Sequence, residues 1–194
     1  MRFLTLAVGS RYVEEAELLA ESAARFGVEV EVVEKPDLGA WKLNCRQKFE
    51  MLVERGLGDE ELVVLDADVR FRGKPDLLVG GGWGDRILTA KLARGYVSTA
   101  VCAFGVGRKM RGVVREWGKW MERRPYATED RMLRRGVDEV GATVEVLPPE
   151  YHVRWWKSGG VRDEDVVLTL GRRAVDWDGT KWVGRTAKLE KRRA

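Results

Sequence analysis

Asp66 and Asp68 flank a single alanine directly after the apolar run Leu62-Val63-Val64-Leu65. Two carboxylates one residue apart, just past a strand, project from a turn where the backbone can aim both at one point. Paired hard oxygen ligands suit Mg²⁺ or Mn²⁺, which keep several waters and take further ligands from a substrate's phosphates. Spacing alone fits equally well a surface turn in which aspartates satisfy backbone N–H groups. Position favours the metal. An unbroken apolar run reads as a strand covered on both faces, and ligands of open α/β sheets bind beyond the carboxyl ends of such strands.

The elements that must position this pair can be read outward from it. Arg2 to Val8 is a short strand ending at the turn Gly9-Ser10. Val13, Ala16, Leu19, Ala20, Ala23 and Phe26 recur at helical spacing over 12–26, and Gly27 closes that helix as a C′ glycine. Val28 to Val33 alternates Val with Glu, the pattern of a half-buried strand, and Lys42 to about Arg55 reads as a second helix stopped by Gly56 and Gly58. Strand, helix, strand, helix, strand implies right-handed crossovers and a largely parallel sheet with helices on both sides. Gly9-Ser10-Arg11 and Asp66-Ala67-Asp68 then share one rim. Downstream, 86–91, 99–105, 143–147 and 165–170 read as strands, and 108–123 as a strongly amphipathic helix. A short helix is expected over 128–136 with Thr128 as N-cap. A hairpin is expected over 175–183 around Asp178-Gly179, and 80–84 as a mobile loop.

Composition narrows the function classes. The 194 residues fit one domain, taken as 1–184 with a basic tail over 185–194. Thirty-five Lys and Arg against 31 Asp and Glu leave a net charge of only +4, scattered along the chain, which argues against nucleic acid as partner. Cys45 and Cys102 make neither a disulfide framework nor a zinc signature, and both read as buried free thiols of a reducing compartment. No stretch approaches the ~20 apolar residues of a membrane span. With the first strand starting at residue 2, no signal peptide is expected and the protein reads as cytoplasmic.

The segment Val63-Val64-Leu65-Asp66-Ala67-Asp68-Val69-Arg70-Phe71, followed by Pro75, resembles the D-x-D region of GT-A glycosyltransferases, in particular glycogenin-like and related nucleotide-diphospho-sugar transferases. Other pieces agree in order. Thr5 to Val8, Tyr12 and 16–22 are similar to the family's first strand, nucleotide-contacting loop and first helix. Asn44 and Lys48 resemble the helix that faces the donor, and Ser98 to Phe104 the strand that borders the sugar pocket. Thr128-Glu129-Asp130 resembles the start of an acidic helix, and Pro148 to Tyr151 the stretch before the last strands.

The resemblance implies a GT-A fold, a mainly parallel central sheet flanked by helices. It also implies transfer of a sugar from a nucleotide-diphospho-sugar to a glycan, protein or small-molecule acceptor. Asp68, helped by Asp66, would hold Mn²⁺ or Mg²⁺, with Asp66 also near the ribose. Ala7, Val8 and Tyr12 would flank the base, and Asn44, Lys48, Ser98, Thr99 and Ala100 would line the donor site. Asp130 would sit near the anomeric carbon as the catalytic carboxylate.

The sequence departs from that family in two places. No His stands in Val166 to Arg172, where relatives often carry a further metal ligand, and Arg131 follows Asp130 where Gln is frequent. His152, the only His, reads as part of the cleft wall. A dinucleotide-binding turn is ruled out because Met110 occupies the third glycine position after Gly105-Val106-Gly107. The remaining alternatives are a metal-dependent nuclease or phosphotransferase built on Asp66, Asp68, Glu129 and Asp130, and a nucleotide-sugar-binding module without turnover.

Overall fold

The computed structural model describes residues 1–93, 95–151, 153–154, 167–170, 176–177 and 182–183. Its central sheet has six strands in the order β2-β1-β3-β8-β5-β9. These are β1 (Arg2–Val8), β2 (Val30–Lys35), β3 (Leu62–Asp66), β5 (Arg86–Thr89), β8 (Val101–Phe104) and β9 (Thr143–Val146). β1 pairs in parallel with β2 and β3, and β5 with β9, whereas β8 runs antiparallel to both its neighbours. Five strands therefore point one way and one is reversed, a mainly parallel sheet as expected.

Both faces of the sheet are covered, which explains the unbroken apolar reading of β3. Side chains alternate across the pleat. Phe3, Val63, Leu65, Leu88, Val101 and Ala103 enter one core, joined by Leu19 and Ala23 of helix α1 (Ser10–Ala24). Leu4, Leu62, Val64, Ile87, Cys102 and Phe104 enter the other. There they meet helices α2 (Trp41–Glu54), α4 (Arg108–Arg123) and α5 (Glu129–Val140). Full burial of one Val or Leu is worth roughly 1.5–3 kcal/mol, so the two-sided strand β3 anchors the domain.

α4 and α5 lie antiparallel and unusually close. Gly136 faces the α4 backbone, where a Cβ would fall 2.9 Å from the Trp117 nitrogen and 2.9 Å from the Val113 oxygen. Gly112 meets Val140 in the same way. The α5 helix extends to Val140, beyond the expected 136, and ends on Gly141 in the left-handed region at φ 64°. Thr128 stands at its N-cap, though without a side-chain capping bond.

Smaller pieces complete the fold. β4 (Arg70–Phe71) pairs with β11 (Leu168–Leu170), which also pairs with β10 (Val153–Arg154). β6 (Leu92–Ala93) and β7 (Tyr96–Val97) form a short ribbon. β12 (Asp176–Trp177) and β13 (Trp182–Val183) pair antiparallel with Trp177 opposite Trp182, two strands of the expected hairpin with four residues between them rather than a two-residue turn. The remaining short helices are α3 (Asp76–Val79) and a 3₁₀ turn at Pro149–Tyr151.

Loop 80–84 is not the free segment expected from its glycines. Trp83 is buried and its backbone N–H donates to Glu61 Oε1 at 3.0 Å. His152, Arg11's side chain, the Asp178-Gly179 turn and the tail over 185–194 lie outside the described residues.

Candidate active site

At the carboxyl ends of β1 and β3 a cleft of about 320 Å³ opens, within the size range of small-molecule sites. Leu6 and Val8 come from the end of β1, and Tyr12 from the first turn of α1. Trp41, Asn44, Cys45 and Lys48 come from α2, their spacing of three, four and seven placing them on one helix face. The turn after β3 supplies Asp66, Ala67 and Asp68. Thr99 and Ala100 precede β8, and Thr128, Glu129 and Asp130 open α5.

The Asp66–Asp68 turn is shaped from inside. Asp66 N–H donates to Ala100 O at 2.8 Å, and Val69 N–H returns to Asp66 O at 3.0 Å. Ala67 and Val69 are buried, which leaves both aspartates facing the cleft. Arg70, itself buried, clamps the turn from below. Its guanidinium donates to Ala67 O at 3.0 Å and Val69 O at 2.7 Å and ion-pairs with Glu15. The Asp68 carboxyl is pushed above its usual range, first by burial, then by the negative charges of Asp66 and Glu15. A carboxylate crowded in this way gains from any cation placed beside it.

The floor is built differently. Lys48, only 8% exposed, points its ammonium at Asp66 Oδ1, 2.5 Å away. It also donates to Thr99 Oγ1 at 3.2 Å and faces Glu129 Oε1 at 3.4 Å. Burial acts against its charge, but Asp66, Glu129 and Asp130 outweigh that cost and hold the amine protonated, its pKa above the ordinary lysine value. Asp130 Oδ1 accepts from the backbone N–H and the hydroxyl of Thr99, both at 2.8 Å. Burial and then Glu129 raise the Asp130 pKa to about 6, against the opposing pull of Lys48 and of the Thr99 hydrogen bonds.

Most of the residues named from the sequence meet here: Val8, Tyr12, Asn44, Lys48, Asp66, Asp68, Thr99, Ala100 and Asp130. Two do not line the cleft. Ala7 is fully buried against Ala16 and Ala67, because it sits on the inward face of β1. Ser98 turns its hydroxyl back to accept from Ala100 N–H at 3.3 Å, and its carbonyl accepts from the Thr89 hydroxyl. Asn44 lines the cleft, yet its amide is engaged with Asp37 and the Leu38 N–H, propping the loop before α2.

The cleft contributions of Cys45 and Trp41 went unread, and Glu129 had a role only in the nuclease alternative. Cys45 is a half-buried cleft residue rather than a core thiol, with its pKa pushed up to about 12 by burial and then by Glu129. Trp41 stands 61% exposed at the mouth. Glu129 is buried under Lys48, and its Oε2 has no hydrogen-bond partner among the described residues. The helical repeat 41, 44, 45, 48 was the available signal for the first two.

Among the described residues no group of three or more His, Cys, Asp or Glu side chains is arranged to hold a metal ion. Asp66 and Asp68 therefore provide a two-carboxylate, all-oxygen edge. Such an edge fits an ion that brings its remaining ligands on a phosphate-bearing substrate. It does not fit an ion caged by protein alone.

No protein-family model and no curated protein matches the chain. Solved structures do. A glycosyltransferase involved in the glycosylation of the major capsid of PBCV-1 matches with a TM-score of 0.61 at 14% identity, over 87% of this chain and 93% of that one. The glycosyltransferase GlyE of Streptococcus pneumoniae TIGR4 matches with a TM-score of 0.62 at 10% identity, over 98% of this chain. Its apo form gives 0.61 at 11% identity. The chain spans about three fifths of GlyE, 60% of that chain's length. At these identities the likeness establishes the fold: a six-stranded α/β sheet flanked by helices, shared with glycosyltransferases.

Proposed function

We propose that the chain is a glycosyltransferase that takes a sugar from a nucleotide-diphospho-sugar and passes it to an acceptor, with a divalent cation carried on the donor's diphosphate. The observation that carries the reading is the meeting, in one cleft of a glycosyltransferase-like fold, of an aspartate pair, its Asp68 crowded by negative charge, with a buried lysine and a fixed aspartate. Asp66 and Asp68 would hold Mn²⁺ or Mg²⁺, which supplies Lewis-acid neutralisation of the leaving diphosphate when bound.

The residues of the chain divide the remaining work. Tyr12 and Trp41 offer aromatic faces at the mouth for the base. Lys48 presents a permanent positive charge in the floor, already ordered before substrate arrives, where a preformed charge acts without reorganisation. Asp130, held by two bonds to Thr99 in the lining of the same cleft, would act as the catalytic carboxylate. A nuclease with two ions would instead need Glu129 and Asp130 as further ligands, and the Lys48 ammonium, paired with both Asp66 and Glu129, competes with a second cation there.

Thermal unfolding with nucleoside diphosphates and nucleotide-sugars, each with and without Mn²⁺, tests the reading. A ligand at a hundred times its Kd stabilises the folded state by about 2.7 kcal/mol. The expected result is a rise in Tm for one base that requires the metal and disappears in Asp68→Ala. A panel without any metal-dependent shift would remove the reading.

A further inference from the structure

Directly outside the cleft, the arginines of the α4–α5 pair form a surface that the donor reaction does not use. Arg123 and Arg135 both lie over the ring of Trp120, each guanidinium 5.6 Å from the ring centre. Gly136 and Gly112 fix α4 and α5 as antiparallel neighbours, so the register that sets Arg135 on Trp120 brings Arg131 toward the end of α4. Arg131 and Arg135 are one helical turn apart and share a face. Arg124 follows Arg123, and Tyr126, 70% exposed, stands in the link between the helices. All four arginines are exposed.

Several other basic side chains on the same helices find acidic partners, while Arg108 and Lys109 at the start of α4 make no ion pair among the described residues. Arg134 pairs with Asp138, Arg115 and Lys119 with Glu116, and Arg111 with Asp59. Arg123, Arg124, Arg131 and Arg135 make no ion pair among the described residues, and Glu139, one turn beyond Arg135, makes none with it. Two like charges held at one indole repel each other, and a bound anion lowers that cost. The planar fork of arginine matches carboxylate, sulfate and phosphate oxygens, and a ring beneath it holds the fork in place.

The location selects the occupant. Thr128, Glu129 and Asp130 line the cleft, and Tyr126 and Arg131 stand next to them along the chain, so the surface adjoins the cleft at the start of α5. Tyr126 adds a flat apolar face of the kind that packs against a sugar ring. We infer that this surface is the acceptor subsite, and that the acceptor is an acidic glycan whose anionic groups lie along Arg131, Arg135 and Arg123. The inference rests on the transferase reading for the word acceptor, but the binding surface can be tested without it.

The test is a calorimetric titration of the full chain with dextran sulfate and with unsulfated dextran. Wild type is compared with the triple variant Arg123→Gln/Arg131→Gln/Arg135→Gln. A charge-matched control, Arg108→Gln/Arg111→Gln/Arg115→Gln, removes the same charge from the other half of α4. The expected result is binding of the sulfated chain only, weakened about tenfold in the first triple and nearly unchanged in the control.

Equal losses in both triples would reduce the effect to net charge and overturn the proposal, as would equal binding of the neutral dextran. Tighter binding of double-stranded DNA through the same three arginines would overturn it too, making the surface a nucleic-acid site. The nucleotide-plus-Mn²⁺ shift is read on the same proteins and is expected to survive in the first triple. Its absence from wild type, beside the expected glycan result, would sink the transferase reading while leaving an acidic-glycan surface.

Discussion

The two sides of the cleft use the same side-chain chemistry with opposite electrostatics. In the floor, Asp66, Glu129 and Asp130 surround the Lys48 ammonium, so negative charge is answered within the chain. On the turn, Asp68 is crowded by the charges of Asp66 and Glu15, which Arg70 and a backbone hydrogen bond only partly relieve. The floor already holds its cation, whereas the turn gains by acquiring one.

This difference is open to direct attack. The largest expected effect is Lys48→Met, which leaves buried carboxylates without their cation. Unfolding free energy by chemical denaturation is expected to fall by about 3–5 kcal/mol, and an unaltered value would mean the floor is not held by charge. Next comes Arg70→Met, which strands Glu15 and the Ala67 and Val69 carbonyls. A loss of about 2 kcal/mol is expected, together with loss of any metal-dependent ligand shift as the turn relaxes. Asp68→Asn is expected to leave stability unchanged or raise it, because it removes a repelled charge. A clear loss of stability there would show that Asp68 is already compensated.

A further expected effect is in pH. The folded Asp130 pKa of about 6 lies above the ordinary 3.8, so between these values the native state binds more protons than the unfolded one. Stability from this group is then present at low pH and declines as pH rises through the window from about 4 to 6. Asp68 shifts in the same direction. Asp130→Asn, which keeps an oxygen for Thr99, is expected to flatten that part of the stability profile. A profile with the same slope as wild type would place the titration elsewhere.

Much of this arrangement was legible in the sequence because it is local. The apolar run Leu62 to Leu65 followed by Asp66 and Asp68 announced a buried strand with carboxylates at its ligand end, and the helices over 12–26 and 108–123 followed from periodicity. What escaped is non-local. The reversal of β8 is set by its pairing with β3 and β5, and nothing in Val101 to Phe104 encodes direction. The pairing of Glu129 with Lys48 forms only when α2 is brought against the start of α5. Trp83 turned a glycine-rich loop into an anchored one, since burial of one indole outweighs the freedom of its neighbours. Two-residue strands such as β4 lie below the length at which any pattern can be seen.

The central claim is that the aspartate turn and Asp130 serve one transfer reaction. Its most direct test is to incubate the chain with a panel of nucleotide-sugars and Mn²⁺ and to measure released nucleoside diphosphate. Wild type is expected to release it from one donor, Asp68→Ala to release none and to lose nucleotide binding, and Asp130→Ala to bind the nucleotide without releasing it. Release that is undiminished in either variant would contradict the account.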